Sequence, residues 1–180
     1  AIDDFSKVIE LKPDYPNAFE SRGFAKSRGN QHAKAMHDYN QAIQMKADFH
    51  EAFHHRGWSE LALGDTVNAI ADLLKAIEIK EDLALYHDDL GYMYLVSKNY
   101  KEALKSFSKA LKLDESMAVA YLHRGQTKVE MNKIKPSCKD FTSAAELGNK
   151  EAVELLELHC PTEEKDEKEE SSKENEDKEK

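Results

Sequence analysis

Apolar residues recur along most of the chain at helical spacing. Ala69, Ile70, Leu73, Leu74, Ala76 and Ile77 follow one another at intervals of three and four residues. Leu83, Tyr86, Leu90, Met93 and Tyr94 do the same. The pattern predicts helices of roughly 13 residues each. Short polar turns such as Gly64-Asp65-Thr66 separate them, with Asp65 and Asn99 placed as helix N-caps. The pattern stops at Pro161. From there to Lys180 no aromatic and no aliphatic residue other than proline occurs, so this stretch is expected to be a disordered acidic tail.

The helices repeat. Gly23, Gly57, Gly91 and Gly125 are each 34 residues apart. Ala1, Ala35, Ala69, Ala103 and Ser137 form a second column in the same register. A third reads Phe5, Tyr39, Leu73, Phe107 and Phe141, and a fourth reads Val8, Ala42, Ala76, Ala110 and Ala144. Four columns in one phase define a unit of two helices. Its small residues sit where the helices must approach closely.

With this period and these columns, the chain resembles the tetratricopeptide repeat family over residues 1 to about 151. The matching features are glycine at position 8 of each unit, a small residue at position 20, a large or aromatic one at 24 and alanine at 27. The proline usual at position 32 survives only as Pro13; Ala47, Glu81, Glu115 and Asn149 replace it. The resemblance implies an all-α fold, a right-handed α-solenoid of stacked helix-turn-helix hairpins with a C-terminal capping helix. Units are expected at 16–49, 50–83, 84–117 and 118–151. Residues 1–15 are then the second helix of a truncated earlier unit. Lys150 to His159 read as a terminal helix, with 152–160 as the end of the cap and 161–180 as the tail.

Two positions change together. Position 7 reads Arg22, Arg56, Leu90 and Arg124, and position 23 reads Asp38, Asp72, Ser106 and Asp140. The unit that lacks arginine also lacks aspartate. This predicts Arg–Asp pairs within three units, partly buried between the two helices, and a larger loss from Asp72→Ala than from Asp114→Ala.

The whole chain carries 35 acidic and 26 basic residues, a formal charge of −9. Residues 161–180 hold ten acidic residues and five lysines, leaving 1–160 at only −4. This balance argues against a nucleic-acid partner, which needs a basic face. No apolar run approaches the roughly 18 residues of a membrane span, and no signal peptide is visible. A cytoplasmic location is the default expectation. The chain opens inside an amphipathic pattern, so a preceding segment is expected.

Catalytic signatures are missing: no glycine-rich phosphate loop, no His-Glu-x-x-His, no Cys-x-x-Cys and no GxSxG elbow. The reading is therefore not an enzyme, with no catalytic residues, no cofactor and no metal. His54 and His55 are adjacent and point about 100° apart on a helix, which suits no shared metal. His55, Asp89 and His123 share position 6 of successive units, too sparse a column for a designed site. Cys138 and Cys160 read as free thiols; a disulfide would need Cα atoms within about 7 Å, which sequence does not show.

Function is expected in the concave face. In the family the first helix of each unit lines it, and this implies a groove with Phe24, Trp58, Tyr92 and Gln126 at position 9. His54 and Asp88 at position 5, and His55, Asp89 and His123 at position 6, complete the set. Cytosolic co-chaperones of this family grip acidic tails with Lys and Asn at positions 5 and 9. Here Glu20/Phe24, His54/Trp58 and Asp88/Tyr92 occupy those places, so a carboxylate clamp is not expected. The expected ligand is a protein or peptide segment with an aromatic or aliphatic anchor at Trp58 and a basic group near Asp88 and Asp89. Self-association through the apolar edge formed by residues 1–11 is the alternative.

Overall fold

The computed structural model describes residues 1–160, so the expected disordered tail lies outside the described residues. They form ten α-helices and no strand. The chain divides into two compact units, one from Ala1 to Leu113 and one beginning at Asp114. The first holds α1 (Ile2–Leu11), α2 (Pro16–Arg28), α3 (His32–Met45), α4 (His50–Ala62), α5 (Thr66–Ile79), α6 (Ala84–Val96) and α7 (Tyr100–Leu113). The second holds α8 (Ala118–Glu130), α9 (Ile134–Glu146) and α10 (Lys150–His159).

The hairpin turns have a common backbone solution. Asn30, Gly64, Lys98 and Asn132, all at position 15, take positive φ between 56° and 86°, and Gly148 after α9 does so at 87°. A left-handed residue follows the first helix of each of these hairpins, and Gly or Asn takes that conformation at least cost. The following helix is capped where a short polar side chain is available. Asp65 accepts from the backbone N–H of Asn68 at 3.2 Å and Asn149 from that of Ala152 at 2.9 Å.

The position-8 glycines explain the third column. A Cβ on Gly125 would lie 2.5 Å from the ring of Phe141, and one on Gly91 would lie 2.6 Å from Phe107. Both rings are fully buried, so neither can retreat. Close approach here seats the position-24 side chain between the two helices of a hairpin. Around these seats, Phe53, Leu73, Tyr86, Leu90 and Met93 join α4, α5 and α6 into one core. Phe19, Ala42 and Phe49 form another at α2 and α3. In the second unit Leu122, Phe141, Ala144 and Ala152 are closed by Leu155 and Leu156 of α10.

The expectation of free cysteines is corrected: Cys138 of α9 and Cys160, just after α10, form a disulfide with Cα atoms 5.8 Å apart. The packing of α10 across α9 brings together residues 22 apart in sequence, a closeness that spacing alone does not encode. Reduction is expected to speed amide hydrogen exchange in α10 while leaving α2 to α7 unchanged, measured by mass spectrometry with and without dithiothreitol. Equal exchange in α10 under both conditions would show that apolar packing alone holds the cap.

Candidate functional site

Partly buried ion pairs set the first helices of three units in place. Arg22 donates from Nε and Nη2 to the two oxygens of Asp38, at 3.0 and 2.8 Å. Arg56 grips Asp72 the same way at 2.6 and 2.7 Å, and Arg124 grips Asp140 at 3.0 and 2.6 Å. Such two-pronged bonds fix orientation as well as charge. Each guanidinium also lies over the aromatic ring at position 4: Phe19, Phe53 or Tyr121, at 5.4 to 5.6 Å. The 84–117 unit replaces the set with His87, Leu90 and Ser106, which line a pocket of about 380 Å³.

Position 11 supplies a further partner that the sequence comparison overlooks. Lys26 reaches Asp38 at 2.7 Å and Lys128 reaches Asp140 at 2.6 Å. In the 50–83 unit the same position is Glu60, 8% exposed, beside Asp72. Its Oε2 is buried with no hydrogen-bond partner. Burial, then the neighbouring Asp72 carboxylate, push the Glu60 carboxyl up to about 7.

Across the first-helix face of the first unit, position 5 of one repeat bonds to position 6 of the next. The His55 ring contacts Glu20 at 2.6 Å, and the His54 ring contacts Asp89 at 2.6 Å. His54 stacks on Tyr86 at 4.6 Å, and Tyr86 shares a 2.9 Å hydrogen bond with His50. Burial pushes the Tyr86 phenol up to about 12, so it stays neutral. The spacing of 35 residues that joins these rungs was present in the sequence; sorting by equal positions hid it.

This geometry corrects the expected groove. Asp88 and Asp89 are 2% and 7% exposed, and His54 is 8% exposed. Asp89 is turned onto His54 of the preceding repeat, while His54 also lines the aromatic pocket. The Asp89 carboxylate is bonded to the His54 ring. The expected attraction of a basic ligand to Asp88 and Asp89 therefore has little open surface to act through.

What remains open is aromatic. Phe24 is 43% exposed and packs on His55 at 4.6 Å. Trp58 is half-buried and stacks on Tyr92 at 5.7 Å. Phe24, Arg28, His32, His55 and Trp58 surround a pocket of about 320 Å³ between α2, α3 and α4. His123 and Gln126 lie on α8 in the second unit. Both are half-buried, and the Gln126 amide donates to Glu151 at 2.9 Å. Among the described residues no group of three or more His, Cys, Asp or Glu is placed to hold a metal. Nor is any helix among them long and apolar enough to cross a membrane.

Models of the tetratricopeptide repeat match residues 50–83 and 84–117, the same two units that the columns delimit. These two units are tetratricopeptide repeats. No curated protein sequence matches it significantly. Among solved structures, that of MamA shares 19% identity over 84% of this chain and 89% of its own, with a TM-score of 0.76. YrrB, described as a tetratricopeptide repeat protein with an unusual peptide-binding site, shares 18% over 87% and 91%, with a TM-score of 0.72. TTC0263 of Thermus thermophilus shares 15% over 88% and 87%, also at 0.72. At these identities the likeness establishes the fold, an all-α helical repeat solenoid.

Proposed function

We propose that this repeat protein is a non-catalytic interaction scaffold that holds a peptide segment of a partner against the first-helix face of its first unit. The observation that carries the reading is the pocket bounded by Phe24 and Trp58. An apolar residue entering it would touch two aromatic faces, the side-chain type most enriched at binding hot spots. Arg28 and His32 stand at the pocket, so a neutral or acidic flank suits it better than a basic one. That YrrB is described as having a peptide-binding site supports a peptide ligand for this fold. The clamp for chaperone tails is not the mode proposed, since Glu20 and Asp89 are bonded to His55 and His54 where that clamp would place cations. Disulfides persist mainly in oxidising compartments, so Cys138–Cys160 weighs against the cytoplasmic expectation.

The test begins with a peptide selected on the full chain from a random display library. Trp58→Ala is expected to weaken its binding roughly thirtyfold, about 2 kcal/mol, in a fluorescence anisotropy titration. Tyr15→Ala, exposed and outside the pocket, should leave affinity unchanged. Equal affinity for parent and Trp58→Ala would place the site elsewhere.

A further inference from the structure

A second concavity lies in the second unit. It measures about 570 Å³ and is lined by Tyr121, Arg124, Lys128, Lys135, Lys139 and Asp140, among others. Asp140 is already engaged by Arg124 and Lys128, both at 2.6 Å. Those bonds hold the two cations at fixed points, and the carbonyl of Pro136 accepts from Lys128 at 3.2 Å. Lys135 and Lys139, one helical turn apart on α9, form no ion pair among the described residues. The pocket therefore presents four cations against one carboxylate.

The repeats serve as internal controls for what the fold requires. Positions 7, 11, 18 and 22 read Arg22, Lys26, Ala33 and His37 in the first full unit. They read Arg56, Glu60, Val67 and Ala71 in the next, and Leu90, Tyr94, Lys101 and Lys105 in the third. Only the last unit carries a cation at all four. Hairpins of the same architecture form without that set, so folding does not account for it. Electrostatics act against it, since like charges at i, i+4 spacing destabilise a helix.

We propose that this pocket binds an acidic peptide segment of a partner protein, with its carboxylates on Lys128, Lys135 and Lys139 and its chain against the Tyr121 ring. Three lysines on two helices offer separate point charges, which match carboxylates on successive side chains better than one compact anion. A long nucleic acid would run from the pocket onto a chain of net charge −9. The proposal is independent of the aromatic pocket and stands or falls without it.

The probe is a fluorescein-labelled Glu-rich peptide of about a dozen residues with one tyrosine, titrated at low salt, where exposed pairs are least screened. Residues 161–180 of the chain hold ten acidic residues and could compete. Binding is therefore measured on the full chain and on a full-length variant with each of those ten changed to Asn or Gln. Lys135→Glu with Lys139→Glu is expected to weaken binding by about tenfold or more. Lys109→Glu with Lys112→Glu, on α7, makes the same charge change and should leave it within about threefold. Circular dichroism checks that both variants stay folded. The proposal is overturned by equal loss in the two double variants, by equal binding of a Gln-for-Glu peptide, or by binding to neither full-length protein. Displacement of the probe by inorganic phosphate or by duplex DNA at matched charge concentration would also overturn it, in favour of a general anion site.

Discussion

Asp38→Ala is expected to cost about 3–5 kcal/mol of stability, measured by urea unfolding, because it leaves two partly buried cations without their counter-charge. Asp38 is fully buried and receives two bonds from Arg22 and one contact from Lys26 at 2.7 Å. Neither cation has another carboxylate to turn to in the contacts around this pair. Asp72→Ala, at the same position of the next unit, should cost less. There Arg56 keeps its 2.7 Å bond to Asn40, and Glu60 loses a repelling neighbour. Replacing Arg22 and Asp38 together by Met and Leu should recover most of the loss, since an apolar pair removes the desolvation penalty with the attraction. A loss of roughly 1 kcal/mol or less for Asp38→Ala would mean that the pairs behave as surface charges. Equal losses for Asp38→Ala and Asp72→Ala would show that Asn40 and Glu60 do not lower the cost at the second site.

Glu60 should give the largest pH effect. Its carboxyl is raised from 4.5 to about 7 in the folded chain. Between those values the folded state keeps a proton that the unfolded state has released, so stability falls as pH rises through this window. The full penalty, on the order of 2–3 kcal/mol, is present above about pH 7.5 and absent below about pH 4.5. Glu60→Gln should therefore raise stability by this amount near pH 8 and change it little near pH 4.5. Glu60→Lys should do at least as well near pH 8, because it restores the cation that Lys26 and Lys128 supply in the sister units. Thermal unfolding of the three proteins at both pH values decides the matter. A gain from Glu60→Gln that is the same at each pH would show that folding leaves the Glu60 carboxyl unshifted.

Most of the fold was legible because each repeat restates it. Gly125 and Phe141 are one contact written four times, and a period of 34 makes that contact visible without coordinates. The Arg–Asp pairing was legible for the same reason, since Leu90 and Ser106 depart together. The groove was less legible. Equal positions in different repeats point the same way, but contacts between repeats join unequal ones, as in Glu20 with His55 and His54 with Asp89. Reading down columns therefore placed Asp89 on a surface, where its bond to His54 of the preceding repeat buries it. The pocket beside Trp58 draws Arg28 and His32 from the end of one helix and the start of the next, which no column records. Glu60 was hidden because its meaning is a contrast with Lys26 and Lys128, apparent once those lysines are seen on their aspartates. The disulfide depends on how α10 crosses α9, a tertiary angle with no periodic signature.

The most direct measurement is the indole N–H resonance of Trp58, the only tryptophan in the chain. It is followed in a ¹⁵N-labelled full-length protein titrated with the selected peptide. The account predicts a shift of this resonance that saturates with the same affinity as the anisotropy signal, accompanied by shifts in the amides of Phe24 and Arg28. Saturated binding with the Trp58 indole and these amides unmoved would contradict it.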